Sequence, residues 1–376
     1  MSDIATPTAQ HEHDSVAARL SALDRFLPVW ILAAMGVGLG LGDLLPGLNR
    51  TLSSIQVPAT GTSLPIALGL LLMMYPVLAR VRYEELGRLR AQRRLFISSL
   101  VLNWLIGPAL MFALAWLFLA NEPAYRTGLI IVGLARCIAM VLIWSELACG
   151  DREATAVLVA INSLFQILAY SFLGYFYITV LPGWLGLHSQ GFHVGIWPVA
   201  RTVLIFLGVP LLAGFITRRA GLRTRGRDWY EQRFLPRIGP LALYGLLFTI
   251  VVLFALQGHK ITHQPIDVIR IALPLLVYFA VMFSVSFAWG RALGLGYERT
   301  ATLSFTAAGN NFELAIAVAI GVFGASSGEA LAGVIGPLIE VPVLVALVYV
   351  ALWLRTSFPA PVQSPAAREL AVSEGA

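Results

Sequence analysis

The feature that most constrains this chain is a series of long apolar segments separated by short loops rich in arginine. Hydrophobic residues make up 58% of its 376 residues and charged residues only 12%, whereas soluble domains carry roughly 25% charged residues. A chain with so little polar surface is expected to fold in lipid. A helix needs about 20 mainly apolar residues to cross a bilayer, and the sequence predicts ten such segments, at 27–46, 62–79, 95–119, 127–148, 154–181, 196–217, 238–257, 267–289, 301–323 and 330–354.

The arginines predict the orientation of these segments. They concentrate in the loops at 80–94, 218–237 and 291–299, which fall on one side of the membrane if the ten segments alternate. Cytoplasmic loops are enriched in Lys and Arg, so this side is predicted to be cytoplasmic, with both termini inside. The predicted location is the plasma (inner) membrane. Residues 1–24 are predicted to form a cytoplasmic tail, and residues 356–376 a disordered tail.

An internal repeat is also visible. Shifting the sequence by slightly less than half its length brings Cys137 onto Glu313. The predicted units are residues 25–181 and 196–355, each with five segments. Because five is odd, the second unit enters the membrane upside down relative to the first. Inverted repeats of this kind are typical of secondary transporters.

Polar residues interrupt two of the apolar segments at matching places. Arg136 and Cys137 lie in the fourth segment, and Asn310, Asn311 and Glu313 lie in the ninth. A charged side chain at mid-membrane costs at least ~2.5–3.5 kcal/mol on insertion scales, so it is rarely kept without a use. Glycine and asparagine near these positions weaken a helix. We therefore predict that both segments break and cross at mid-depth, and that these five residues bind a substrate.

Cys137 is the most specific member of this set. A buried cysteine is most often a small apolar core residue, and that alternative applies here. The adjacent Arg136 favours the thiolate, which is the form that binds soft ligands. Cys137 is therefore predicted to contact the substrate.

Two acidic residues are candidates for coupling transport to protons. Glu313 either forms a fixed ion pair with Arg136 or carries a proton, because burial and a nearby cation have opposite effects on the pKa of a carboxyl group. Glu340, which lies between two prolines in the tenth segment, is a second carrier or pairing candidate. Further polar residues either line the cavity or hold helices together; they are Asn103, Ser145, Asn162, Ser163 and Gln166.

Signatures of other protein classes are missing from the sequence. All six histidines lie outside the apolar segments, and no metal-ligand spacing, phosphate-binding loop or nucleophile elbow occurs. The chain is thus predicted to be neither an enzyme nor a cofactor protein. The net charge of +6 lies in loops without interleaved aromatics, which argues against a nucleic-acid partner. No pattern indicates an oligomeric state.

Several motifs carry a resemblance to a known family. The stretches GLARCIAM (133–140), GNNFELAI (309–316) and GPLIEVP (336–342) resemble the ten-helix arsenite efflux permeases of the bile-acid/arsenite/riboflavin transporter superfamily. The resemblance covers about residues 24–355. It implies panel and core subdomains, crossed discontinuous helices four and nine, and export of trivalent arsenite, with antimonite as a second candidate, in exchange for protons. It also implies that Cys137 binds arsenic(III) and that Glu313 corresponds to the glutamate that the family has in its ninth segment.

One departure and one alternative remain. Many relatives have asparagine after the tryptophan of the fourth segment, where this chain has Ser145 after Trp144. The alternative function is a sodium-coupled importer of organic anions on the same scaffold. A membrane receptor is a weaker alternative, because neither tail is long enough for a signalling domain.

Overall fold

The structure, a computed structural model, describes residues 26–45, 47–81, 92–187 and 195–358. Within these ranges it is helical, and the β pairings are two isolated bridges. The helices are α1 Leu27–Leu44, α2 Leu48–Ser54, α3 Leu64–Ala79, α4 Arg93–Phe118, α5 Pro123–Leu134, α6 Met140–Leu147, α7 Arg152–Trp184, α8 Ile196–Thr224, α9 Gly226–His263, α10 Pro265–Ala292, α11 Tyr297–Ala308, α12 Phe312–Phe323 and α13 Gly328–Arg355.

The prediction of an all-helical protein suited to a membrane is confirmed. Six helices are long and apolar enough to cross a bilayer, namely α4, α7, α8, α9, α10 and α13. Shorter apolar helices are found within α1 and at α3 and α12. The fourth and ninth predicted segments each consist of two helices. α5 and α6 are separated at residues 135–139, and α11 and α12 are separated at residues 309–311.

The helices pack in two groups. α9 lies along α1 and α3, and α8 packs against α3. The contact between α1 and α9 is close because glycines of α1 face the backbone of α9. A Cβ atom at Gly42 would lie 2.4 Å from the Ala255 carbonyl oxygen. Small residues such as glycine allow helices to approach each other closely in lipid. In the other group, α5 and α12 both pack against α13, and α10 packs against α11. Both helix breaks lie in this second group.

The prediction that residues 218–237 form a loop is wrong. α8 continues to Thr224, and α9 begins at Gly226, so nearly the whole arginine-rich stretch is helical. Hydropathy marks only the part of a helix that lies in lipid, whereas arginine is a good helix former in water. The helices therefore extend beyond the segments that hydropathy defines.

The predicted disordered tail starts too early. Phe358 packs edge-on against Phe287 and Tyr297, and Arg291 donates a hydrogen bond to the Ser357 hydroxyl at 2.9 Å. These contacts hold residues 356–358 against the helices. The predicted tails at 1–24 and 359–376, and the loop residues 82–91, lie outside the described residues.

Candidate substrate site

The first break is supported by side chains of α7. The chain leaves α5 at Leu134, and the backbone N–H of Arg136 donates to the side-chain oxygen of Gln166. Near the end of α5, the Tyr170 hydroxyl donates to the Ile131 carbonyl at 2.8 Å. Backbone outside a helix is tolerated at membrane depth only where protein or water satisfies its polar groups. Gln166, predicted to line the cavity, meets this requirement for Arg136.

The second break is supported in the same way by α13. The backbone N–H of Asn310 donates to Glu340 Oε1 at 3.1 Å. The donor and the acceptor are 30 residues apart in sequence, as they are in the first break. Gln166 and Glu340 therefore have equivalent structural roles, although one is neutral and the other acidic.

The two breaks cross and bond to each other. Arg136 and Asn310 form an isolated antiparallel bridge. The Cys137 N–H donates to the Gly309 carbonyl at 3.3 Å, and the Asn311 N–H donates to the Ala135 carbonyl at 3.0 Å. The fourth and ninth segments thus meet directly through their extended residues.

This pairing corrects the register of the predicted repeat. The two bonds between the breaks are donated by Cys137 and by Asn311, so these two residues hold equivalent places on either side of the Arg136–Asn310 bridge. The predicted match of Cys137 with Glu313 differs from this equivalence by two residues. The first break is longer than the second, and no single shift of the sequence aligns the helices on both sides.

The N-termini of both second half-helices point at the crossing. The Cys137 thiol lies close to the backbone N–H groups of Met140 and Val141 in the first turn of α6. In the other half, Asn311 Oδ1 accepts from the Leu314 N–H at 3.0 Å and caps α12. Helix N-termini carry partial positive charge. Both N-termini therefore offer N–H donors and partial positive charge to an oxygen-rich ligand at the crossing.

The two predicted acids lie beside the cysteine. Glu313 is half-buried in the first turn of α12, and Glu340 is buried on α13. Both are close enough to interact electrostatically with the Cys137 thiol, and they also interact with each other. Gly309 permits this approach, because a Cβ atom there would lie 3.0 Å from Cys137 Cβ and 3.6 Å from Glu340 Oε1.

Arg136 is fully buried, and its guanidinium binds oxygen atoms that carry no formal charge. It donates to the Tyr278 hydroxyl at 2.9 Å, to the Ala307 carbonyl at 3.4 Å and to the Gly133 carbonyl. These carbonyls belong to the last turns of α11 and α5, where the helix dipoles place partial negative charge. The C-termini of both first half-helices therefore stabilise one cation.

Of the alternatives that the sequence left open, the ion pair of Arg136 with Glu313 or Glu340 is not made. No carboxylate within the described ranges lies at ion-pair distance from its guanidinium. The helix ends compensate the charge, which leaves Glu313 and Glu340 facing the thiol.

Sequence reasoning missed Tyr278 and Gly107. A Cβ atom at Gly107 would lie 2.9 Å from Arg136 Nη1 and 3.1 Å from the Tyr278 hydroxyl. Gly107 directly follows a π-helical turn of α4 at Leu102–Ile106, and together these features make room for the guanidinium. The available signal for Tyr278 was that it is the one tyrosine in the apolar segment of α10.

Several buried polar atoms near the crossing have no hydrogen-bond partner among the described residues. Most are amide groups or other N–H donors, and the set comprises Arg136 Nε, Asn162 Nδ2, Gln166 Nε2, Asn310 Oδ1 and Nδ2, and Asn311 Nδ2. A buried polar group without a partner costs about 1–3 kcal/mol. A ligand bearing several hydroxyl groups could satisfy these atoms.

Three predicted cavity residues are engaged in local contacts. The Asn103 amide donates to the Ser99 carbonyl at 2.8 Å, and the Ser163 hydroxyl donates to the Val159 carbonyl at 2.8 Å. Ser145 lies near the far end of α6, in a hydroxyl cluster with Thr155 at 2.8 Å and Thr302 at 3.2 Å. None of these contacts involves the residues of the crossing.

Comparison of the sequence with known proteins identifies its family. The model of the sodium bile acid symporter family matches residues 67–264. The chain belongs to this family. The arsenical-resistance protein Acr3 of Corynebacterium glutamicum is 58% identical to this family member over 337 residues, which is 90% of each chain. Acr3 of Alkaliphilus metalliredigens is 32% identical over 348 residues, covering 89% of this chain and 94% of that protein.

An uncharacterized transporter of Synechocystis is 36% identical over 350 residues, or 88% of each chain. The resemblance seen in the sequence motifs is thereby confirmed. Transporter relatives and several apolar helices together identify this symporter-family member as a multi-pass membrane protein.

Proposed function

We propose that this protein exports trivalent arsenite from the cytoplasm. The observation that carries the proposal is the meeting of the Cys137 thiol, Glu313 and Glu340 at two crossed half-helix N-termini. Two relatives that align over nearly the whole chain are named arsenical-resistance proteins, which supports the same substrate class here. Antimonite, also a trivalent soft metalloid, is the second candidate substrate.

Cys137 would bind the arsenic atom. Soft metals and metalloids prefer sulfur ligands to oxygen ligands. The thiol loses its proton and arsenous acid loses one hydroxyl, so that one S–As bond replaces one As–O bond and one water molecule is released. Water reverses the step and frees the substrate. One sulfur gives a reversible bond, which transport requires.

The remaining hydroxyls of the bound arsenite would contact the polar atoms around the crossing. Asn310 and Asn311 offer amide donors from the second break, and Gln166 offers one from α7. Arg136 supplies a fixed positive charge behind the cysteine. These residues would hold the substrate while the protein changes from the inward-open to the outward-open state.

Glu313 and Glu340 would couple export to proton entry. Glu313 takes up a proton from the outside after arsenite leaves, and the return to the inward-open state delivers that proton to the cytoplasm. Glu340 is a second carrier, and it also supports the backbone of Asn310. The proximity of both acids to Cys137 supports direct competition between proton and substrate.

The topology proposed here has ten membrane-spanning segments in two inverted five-helix repeats, residues 25–181 and 196–355. The paired bonds at the two breaks support the repeat, as do the two helix groups, which we assign as panel (α1, α3, α8, α9) and core. Both termini would be cytoplasmic, in the inner membrane. The lipid bilayer, arsenite and protons are the proposed partners, and the role is transport rather than catalysis of a reaction.

A sodium-coupled importer of organic anions is the second candidate, because the family model bears the name of sodium bile acid symporters. Within the described residues no three His, Cys, Asp or Glu side chains are grouped as a metal site. A cysteine at the centre of the site favours a thiol-seeking substrate instead.

The test is arsenite tolerance and intracellular arsenic in cells lacking other arsenite exporters, with and without the protein. We expect higher tolerance and lower intracellular arsenic when it is present. Sodium-dependent uptake of an organic anion, with unchanged intracellular arsenic, would instead establish the importer.

A further inference from the structure

The basic end of the α8–α9 hairpin continues the exposed apolar faces of both helices. On α8, Leu212 and Ile216 are exposed apolar residues, and Arg219 and Arg223 follow them on the same side. Positions three or four residues apart share a helix face. In a membrane protein such an apolar face contacts acyl chains, so these two arginines lie just beyond the acyl-chain region of the bilayer.

α9 repeats this arrangement in the opposite direction. Tyr244 and Leu241 are exposed apolar or aromatic residues on one face, and Arg237 and Arg233 precede them at four-residue spacing. Because α8 and α9 are joined at Arg225, the four arginines lie at the same end of the helix pair. We call Arg219, Arg223, Arg233 and Arg237 the arginine face.

Contacts with α3 fix the hairpin in place. The buried Tyr230 donates a hydrogen bond to the Ala79 carbonyl at 3.0 Å. Its ring packs so closely on α8 that a Cβ atom at Gly221 would lie 2.5 Å from it. The arginine face is therefore held on a rigid support instead of a flexible loop.

Glu231, an acid of the hairpin, forms its ion pairs with arginines outside the arginine face. Glu231 is bound by Arg218 at 3.5 Å and by Arg227 at 3.1 Å. None of the four arginines of the face has an ion-pair partner within the described ranges, and all four are exposed.

The height of the arginines matches the headgroup layer. A helix rises about 1.5 Å per residue, so Arg219 lies about 4.5 Å beyond Ile216 and Arg223 about 10 Å beyond it. The polar layer on each side of a bilayer is about 5–8 Å thick, and arginine side chains reach back to it from the helix.

We propose that the arginine face binds the phosphate groups of anionic phospholipids in the adjacent leaflet and anchors the α3–α8–α9 layer there. Arginine recognises phosphate through paired N–H donors, and clusters of four or more basic residues beside a spanning helix bind anionic lipid surfaces. This proposal does not depend on which substrate is transported.

The test uses the purified full chain in detergent and measures binding of phosphatidylglycerol and of phosphatidylcholine with the same acyl chains, by native mass spectrometry and thermal unfolding. We expect phosphatidylglycerol alone to bind tightly and to raise the Tm. The double variants Arg219→Gln/Arg223→Gln and Arg233→Gln/Arg237→Gln should each bind it about thirtyfold more weakly, because each removes two basic residues.

Two controls separate lipid binding from folding. The variant with lysine at all four positions should keep most of the affinity, because the charge remains. Arg225→Gln/Arg227→Gln removes the same charge from the same hairpin, but these side chains already contact Trp229 and Glu231, so a smaller loss is expected. Equal binding of both lipids, unchanged binding by the glutamine variants, or the same stabilisation by inorganic phosphate alone would overturn the proposal.

Discussion

The two breaks share one backbone arrangement and carry different chemistry. In each, an N–H group of the extended segment is bound by a side chain 30 residues later, from Gln166 in the first break and Glu340 in the second. In each, a side chain reaches the N-terminus of the following half-helix, from Cys137 at α6 and from Asn311 at α12. The first break holds a thiol and a cation, whereas the second holds amides and carboxyl groups.

This difference indicates that the scaffold and the chemistry are separable. The backbone of each break needs only a hydrogen-bond acceptor on the neighbouring long helix and a capping atom. Once those needs are met, the other side chains are free to differ between the halves. In the function proposed here, soft-ligand binding belongs to one half and acid–base chemistry to the other.

The largest expected effect is the loss of the thiol from the first break. Cys137→Ser keeps a small polar side chain at the start of α6 but replaces sulfur with a hard oxygen. We expect arsenite transport to fall at least about 100-fold, because each 1.4 kcal/mol of lost binding is a factor of ten. Arsenite uptake into everted membrane vesicles measures this. Cys149→Ser is the matched control and should transport normally; full transport by Cys137→Ser would remove sulfur from the mechanism.

Removal of the ionisable group of Glu313, beside the second break, should separate arsenite binding from the coupling of transport to protons. Glu313→Gln preserves size and hydrogen bonding at the start of α12. We expect arsenite to bind, as measured by protection of Cys137 from a thiol reagent, while transport driven by a proton gradient falls at least about 100-fold, the lower end of the range for a positioned acid–base group. Gradient-driven transport at the normal rate in this variant would exclude Glu313 as the proton carrier.

The equivalent supports of the two breaks should respond alike to truncation. Gln166→Ala leaves the Arg136 N–H without an acceptor, and Glu340→Ala does the same to the Asn310 N–H. Each is expected to destabilise the protein by about 1–3 kcal/mol, the cost of a buried unsatisfied group. Glu340→Gln keeps an acceptor and should unfold near the normal temperature. Thermal unfolding in detergent compares the three variants, and a marked loss of stability in Glu340→Gln would break the proposed equivalence.

The smallest expected effect is at the hydroxyl cluster, away from both breaks. Ser145→Ala removes the bonds to Thr155 and Thr302, but those two hydroxyls remain 3.1 Å apart and can bond each other. We expect a loss of about 1 kcal/mol in unfolding free energy and nearly normal arsenite transport. If this variant lost transport as severely as Cys137→Ser, the active region would extend along α6 to the cluster.

Much of the fold follows from local sequence alone. Apolar segments of about 20 residues require helices in lipid, and the residues Arg136, Asn310 and Asn311 mark the breaks because they are unfavourable in a continuous apolar helix. The boundaries around 218–237 were wrong because hydropathy does not detect helical structure in water. The candidate residues Cys137, Glu313 and Glu340 were also identified from sequence, as polar groups in apolar surroundings.

The tertiary structure decided how these groups combine. It bonds Cys137 to Gly309 and Asn311 to Ala135, so that Asn311 rather than Glu313 holds the place equivalent to that of Cys137. It leaves Arg136 without a carboxylate, because two helix C-termini and Tyr278 already stabilise the guanidinium. The sequence by itself determined which residues are costly in lipid, since that cost is a property of each side chain. Only the packed helices determined which partners offset it, since the partners come from segments far apart in the chain.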